Sequence, residues 1–283
     1  MSRFLVDKIS KYVVFLCAFT SFLILLLIII FIFREGFPAF IKIGVGKFLF
    51  GREWSLKNGQ FSILPLILGS LLATLGTSLI AAPLSIACAI FLTEVAPRGI
   101  ASFLRSSIEV LVGIPSVVYG LVGMIMLVPL IRQLGGSGYS LLAGIIVLTI
   151  MVIPTMVTIT EDSLRAVPAS YKEASLALGA TQWQTIWKVI LPAARSGVAA
   201  AFILGMARAI GETMAVYMVI GNAFAIPTSP LDPARTLTSH IVGQIMEAAV
   251  GSLHLNALFG VGVVLIIFIL IFNSLAFILR RNV

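Results

Sequence analysis

Arg208 and Glu212 stand four residues apart in the run ARAIGET, with apolar sequence on both sides. At helical spacing the two charges share a face. Gly197, Ala201, Gly205 and Ala209 sweep the same arc, a small residue at every fourth position. Such a stripe lets a second helix backbone approach closely, so the charges point at protein or a cavity and away from lipid. An arginine near a bilayer centre costs about 2.5–3.5 kcal/mol on insertion scales, and one that is kept there has a partner or a task. Two tasks fit. The pair can neutralise itself as an i, i+4 ion pair that only positions the helix. Alternatively, Arg208 offers its planar fork of N–H donors to an oxyanion in passage, Glu212 holds the arginine before and after, and Thr213 lies on the same path. The two are compatible, because an ion pair for which a substrate competes is a gate. Ser116, beside Pro115 in GIPSVVYG, is a hydroxyl for a freed backbone carbonyl or for the substrate, the carbonyl being favoured two to one.

Those residues presuppose a membrane, and the composition supplies one. Of 283 residues 60% are hydrophobic and 11% charged, where soluble domains carry roughly a quarter charged. Six windows, 12–33, 66–93, 108–131, 141–160, 197–220 and 256–279, reach the ~20 apolar residues needed to cross a hydrocarbon core. The first exceeds a signal-peptide apolar region and is followed by Phe31-Ile32-Phe33-Arg34, which offers no small-residue cleavage site. With the N-terminus inside, Lys or Arg at 3, 8, 11, 98, 105, 165, 172, 188, 195, 280 and 281 fall on the inner side, against 34, 42, 47, 52, 57, 132 and 235 outside. The positive-inside rule therefore gives an all-α polytopic membrane protein of six transmembrane helices, N-in and C-in. Residues 1–65 form the first span and an extracytoplasmic segment, and 66–283 the core.

The net charge of +8 flanks apolar spans and makes no basic groove with interleaved aromatics, so membrane topology explains it better than nucleic acid. Pro83, Pro115 and Pro154 interrupt spans, and Gly69, Ala73, Thr77 and Ala81 repeat the small-residue pattern in the second. Cys17 and Cys88 fall within spans as packing residues, and His240 and His254 stand 14 apart with no neighbouring ligand cluster. Asp162 and Arg165, beside Glu161, read as a solvated helix end. No phosphate-cradling GxxxxGK[ST] loop, GxSxG elbow or HExxH pair occurs. Energy from ATP would have to be bound by another chain.

Between the fourth and fifth windows, in a loop region at 161–196, lies EASLALGATQWQTIWKVILP at 173–192. Ser170 and Glu173 have the spacing of a capping box, which starts a short helix at Tyr171–Leu178. Gly179 ends it, since glycine takes the left-handed conformation without a Cβ penalty. Thr181 and Gln184 repeat the box, and a second helix runs through Trp187 until Pro192 blocks it. The expected product is a helix-glycine-helix elbow.

This elbow resembles the EAA loop of ABC-importer permeases, E-A-A, three residues, G, nine residues, I, one residue, L-P. Glu173, Ala174, Gly179, Leu191 and Pro192 match it, while Ser175 and Val189 replace an alanine and an isoleucine. With GIPSVVYG at 113–120, the run at 160–186 and ARAIGETMAVYMVIGN at 207–222, residues 60–283 resemble the phosphate-specific (Pst) importer permeases, PstC-type subunit. Trp54 fits the family's first outside segment, whereas Leu56 and Ser62 stand where proline and glycine are expected. The resemblance implies a type I ABC importer (MetI-like) permease in a bacterial or archaeal cell (inner) membrane. It implies a PstA-like second permease, a homodimeric PstB-like ATPase carrying ATP and Mg, and an extracytoplasmic PstS-like phosphate-binding protein. This chain itself would then be no enzyme and hold no cofactor or metal. The elbow's first helix would be the coupling helix gripped by the ATPase, with Arg208 and Glu212 in the family's R-A-x-G-E string. A permease for sulfate or molybdate shares this architecture, and an ion-coupled carrier working alone would also explain an intramembrane Arg and Glu.

Overall fold

A computed structural model describes the backbone of residues 2–282 and the side chains of residues 7–274. Arg3, Arg280 and Arg281, which enter the charge count above, lie outside the described side chains. Along the chain run α1 (Ser2–Ile43), α2 (Val45–Phe50), a hairpin of β1 (Trp54–Ser55) and β2 (Gln60–Phe61), α3 (Leu64–Ile90), α4 (Arg98–Gly113), α5 (Ser116–Val122) and α6 (Val128–Arg132). Then follow α7 (Leu141–Arg165), α8 (Ala169–Ala177), α9 (Gln182–Thr185), α10 (Leu191–Ala193), α11 (Arg195–Gly211), α12 (Met214–Val219), α13 (Leu237–Ile245) and α14 (Leu253–Asn282). Among the described residues the regular structure is helical, apart from the two-residue strands of the hairpin, where Trp54 faces Phe61, and one isolated bridge between Gly221 and Ala234.

Among the described residues, four single helices are long and apolar enough to cross a membrane: α1, α3 with its π-helical end Phe91–Val95, α7 and α14. Counting each of two bent pairs as one span brings the total to six. The window 108–131 is not one helix. Ile114 is extended, as a residue before proline prefers, and α4 meets α5–α6 at 96°. The α5–α6 limb is about 25 Å long at ~1.5 Å per residue. The carbonyl freed at the bend is answered by Tyr119, whose Oη donates to Leu111 O at 2.8 Å, and not by Ser116. The window 197–220 divides too: α11 stops at Gly211, Glu212 is extended, and α12 begins two residues later.

α7 is the axis of the bundle. Leu148, Met151, Val152 and Met156 are buried on it, and α3 and α11 lie along it because both present small residues there. Thr77 of α3 donates to Ile145 O at 3.4 Å. A Cβ on Gly205 of α11 would lie 2.6 Å from Met156 Cγ and 3.0 Å from Val152 Cγ1. Ala201 and Ala209 are buried in the same contact. α1 packs on α14, where Gly36 lies against the backbone of Phe259 and Asn256 Nδ2 donates to Glu35 O at 2.9 Å.

Two local sites add contacts between distant segments. Asp162 and Arg165 are exposed at the end of α7, as a solvated helix end would be, whereas Glu161 beside them is 4% exposed. Its Oε1 accepts from Arg105 Nε at 3.0 Å, from Arg105 Nη2, and from Arg165 Nε at 3.1 Å, which pins α4 to α7. His240 and His254, distant in sequence, bracket Trp54 with ring centroids 4.3 and 5.9 Å from it. His240 Nδ1 sits 3.2 Å from Arg235 Nη1, and burial, then the Arg235 charge, lowers its pKa to about 3.

Candidate functional site

Arg208 lies in the last turn of α11, immediately before the break. Its Nη1 donates to Thr155 Oγ1 at 2.8 Å. Glu212 does not pair with it. As the residue between the two helices, Glu212 turns its carboxylate the other way, and Oε1 accepts from Ala215 N at 3.1 Å. That contact satisfies an amide in the first turn of α12 and puts negative charge at a helix start, where both backbone and dipole favour it. The i, i+4 geometry fails because the helix ends between the two residues: Glu212 has φ −68°, ψ 132°. The break is held from outside by Thr238 of α13, whose Oγ1 donates to Glu212 O at 2.9 Å. Thr213 Oγ1 donates to Gly211 O at 3.2 Å within the break. Ser116 is the first residue of α5, and its hydroxyl makes no hydrogen bond among the described residues. No carboxylate among the described residues neutralises Arg208. The arrangement is a partly buried guanidinium, fixed by one neutral hydroxyl, with donors to spare.

At the far end of α11 stands the elbow. Its first half departs from expectation: α8 starts at Ala169, with Pro168 in the cap position and no side-chain cap, so Ser170 is already helical and the Ser170–Glu173 box does not form. The proline's fixed φ launches the helix two residues early. The second half forms the box. Thr181 Oγ1 accepts from Gln184 N at 3.2 Å while Gln184 Oε1 accepts from Thr181 N at 2.9 Å. Gly179 has φ 85°, which only glycine takes freely. Glu173 and Ala174 are exposed on α8, and Leu178 is 89% exposed, an apolar residue offered outward. Ser175, the departure from the double alanine, meets Thr185 across the elbow, hydroxyl to hydroxyl at 2.9 Å. Val189 lies in a π-helical turn, Ile186–Ile190, and the helix passes through Leu191 and Pro192 to Ala193 instead of stopping at the proline. The turn to α11 comes at Ala194, a bend of 69°. Gly197, in the first turn of α11, is pressed against Ser163 of α7.

Thr155, Glu161 and Arg105 escaped the sequence reading, as did Lys172 and Glu94, whose Nζ and Oε2 are 2.6 Å apart. Only a charge at the edge of an apolar run signals Glu94 and Glu161. Nothing in the sequence marks Thr155.

Residues 81–283 match the family described as binding-protein-dependent transport system inner membrane component. The chain belongs to this family. It is a non-catalytic permease subunit of an ABC importer, a multi-pass component of the inner membrane that works with a separate ATPase and a binding protein, which sets aside a carrier working alone. Among relatives of this permease, the protein named "Probable ABC transporter permease protein YqgH" of Bacillus subtilis is 44% identical over 269 residues, 93% of this chain and 87% of that one. "Phosphate transport system permease protein PstC" of Pasteurella multocida is 35% identical over 240 residues, 77% of this chain and 74% of that one. The fold is shared with solved importers. A bacterial alginate ABC transporter, in complex with its pentasaccharide-bound periplasmic protein, gives a TM-score of 0.67 at 15% identity, covering 96% of this chain and 93% of that one. The inward-facing MetNI methionine transporter gives 0.58 at 20% identity, covering 81% and 96%.

Proposed function

We propose that this permease carries inorganic phosphate into the cytoplasm, and that Arg208 is the group that meets it in the membrane. The observation that carries the reading is the unneutralised guanidinium at a broken helix: Thr155 orients it, and Glu212 is engaged elsewhere. A planar fork with free N–H donors suits a tetrahedral oxyanion. Broken spans are where membrane proteins expose polar groups to a substrate path. The PstC relatives support phosphate among the oxyanions. In this reading the chain pairs with a PstA-like permease, and α8 and the exposed Leu178 dock on a homodimeric PstB-like ATPase that holds ATP and Mg. A PstS-like protein delivers phosphate to the opposite face. Both termini are then cytoplasmic, residues 1–65 form the peripheral span and outside segment, and 66–283 are the transporting core. ATP drives the cycle only if its binding favours one orientation of the pathway over the other, so the elbow must make different contacts in the two states.

The test is uptake of radiolabelled phosphate by the complete complex in proteoliposomes, with sulfate and molybdate as competitors. Wild type imports phosphate and ignores tenfold sulfate, whereas Arg208→Gln assembles, docks the binding protein and imports nothing. Import by Arg208→Gln at the wild-type rate refutes the arginine's role. Preferred import of sulfate or molybdate refutes the substrate.

A further inference from the structure

Both halves of the elbow converge on one residue of another span. Glu94 lies in the π-helical turn that ends α3. Its carboxylate is paired with Lys172 of α8 at 2.6 Å, and its carbonyl accepts from Gln182 Nε2 of α9 at 2.9 Å. The carboxylate is largely enclosed, 11% exposed. The Ser175–Thr185 hydroxyl contact closes the elbow upon itself, and each of its halves is bonded to Glu94. Between that unit and α3 lies an apolar cleft of about 420 Å³, walled by Pro83, Ile90, Phe91 and Val95 on one side and Trp183 and Trp187 on the other. The polar contacts to Glu94 bridge the two sides next to that cleft. π-helical turns flank the bridge on both sides, Phe91–Val95 and Ile186–Ile190, and such turns interrupt the regular backbone ladder where helices adjust at functional sites.

The other end of α3 reaches the break. Ser70 Oγ accepts from Leu237 N at 2.9 Å, and Gly69 lies against the carbonyl of Arg235. One residue on, Thr238 holds the carbonyl of Glu212. A set of hydrogen bonds joined by one continuous helix therefore runs from the elbow through Glu94, along α3, through α13, to the residue between α11 and α12. This route is separate from the path of the chain itself, which runs from the elbow through α10 into α11.

We propose that Glu94 is a positioning residue through which the elbow drives α3, and that α3 and α13 deliver the displacement to the break at Glu212. The proposal rests on the reading of the elbow as the ATPase contact. It does not depend on which oxyanion is carried. The test measures coupling between the two ends of the route directly.

The complete complex is reconstituted with its binding protein, and oxyanion imported per ATP hydrolysed is measured with radiolabelled phosphate, or with sulfate should that be the ion imported. Glu94→Lys and Lys172→Glu each lower the ratio about tenfold, within the range of measured couplings between distant sites. The exchange of both charges, Glu94→Lys with Lys172→Glu, restores it to within about threefold of wild type, which a loss of folding would not do. Thr238→Val lowers the same ratio from the far end of the route, without touching the elbow, and Glu94→Gln is read alongside in case a reversed charge blocks assembly. A wild-type ratio in Glu94→Lys or Glu94→Gln overturns the proposal, as does a double exchange no better than its singles. Import of sulfate in place of phosphate, with the ratios behaving as stated, overturns the substrate reading and leaves this one standing.

Discussion

Gly197→Ala should lower the stability of the assembled permease, and Ser163→Gly should recover most of the loss. A Cβ at position 197 falls within the space of Ser163 Oγ and Cβ, while Ser163 Cα is 3.5 Å away, an ordinary contact. Rotating the serine gives no escape: its hydroxyl donates to Ile159 O at 2.7 Å, and its Cβ is fixed by the backbone of α7. The first turn of α11 must therefore back away from α7. Overpacking of this kind costs about 1–3 kcal/mol, and the immobile Cβ places this case near the middle, about 2 kcal/mol. Ser163→Gly alone costs about 0.5 kcal/mol through helix propensity. In the double variant both offending atoms are gone, so the total should stay near the glycine's own cost, a non-additivity of about 2 kcal/mol. Thermal unfolding of the detergent-purified complex reads this as a drop of roughly 4 °C for Gly197→Ala, reduced to about 1 °C in the double, at ~2 °C per kcal/mol for a chain of this size. Strictly additive losses, or an unshifted Gly197→Ala, would show that α11 and α7 are not in registered contact at this point.

Gly179→Val must hold a β-branched residue at φ 85°, which costs about 1–2 kcal/mol or more. Nothing lies within 4 Å of the added Cβ, so only the backbone of the elbow is affected: ATP hydrolysis persists while uptake is lost, with Gly179→Asn milder, and unchanged coupling counts against the elbow as input. Thr181→Ala removes one half of the capping box, worth about 1 kcal/mol, and hydrogen exchange at Gln182–Thr185 should quicken about fivefold with global stability unchanged. His240 is 1% exposed and faces Arg235 and His254. Its folded pKa of about 3 lies below the unfolded value near 6.5, so the unfolded chain binds the extra proton, and this contribution to stability is complete above pH 6.5 and lost as pH falls toward 3. Unfolding at pH 5 against pH 7.5 should show up to about 2 kcal/mol of loss, absent in His240→Gln; an identical slope in that variant would place the titration elsewhere.

The reach of the sequence differed between elements for identifiable reasons. The Thr181–Gln184 box and the left-handed Gly179 were legible because each depends on its immediate neighbours alone. The Ser170–Glu173 box has the same spacing, yet Pro168 two residues earlier launches the helix first and leaves Ser170 inside it. The stripe from Gly197 to Ala209 marked its contact face correctly, because small residues on one face admit a backbone whatever the partner. The Arg208–Glu212 pair did not form, since spacing of four has meaning only within an unbroken helix and nothing in GETM declares where α11 ends. Thr155, Glu94 and the ring contacts around Trp54 depend on pairings between distant segments, for which one sequence has no local mark.

The bend at Pro115 bears on how the chain is made. The α5–α6 limb, at about 25 Å, falls short of a ~30 Å hydrocarbon core, and the contacts that seat it belong to later sequence: Gly120 abuts Ala215 and Met218, and Gly123 abuts Val147 and Val219. Domains and spans are synthesised N-terminal first, so this segment leaves the ribosome before most of its neighbours exist. It stays incompletely packed until residues 214–219 follow. The third crossing is thus completed late, and a nascent chain halted before α12 would present quality-control proteases with an unseated helix.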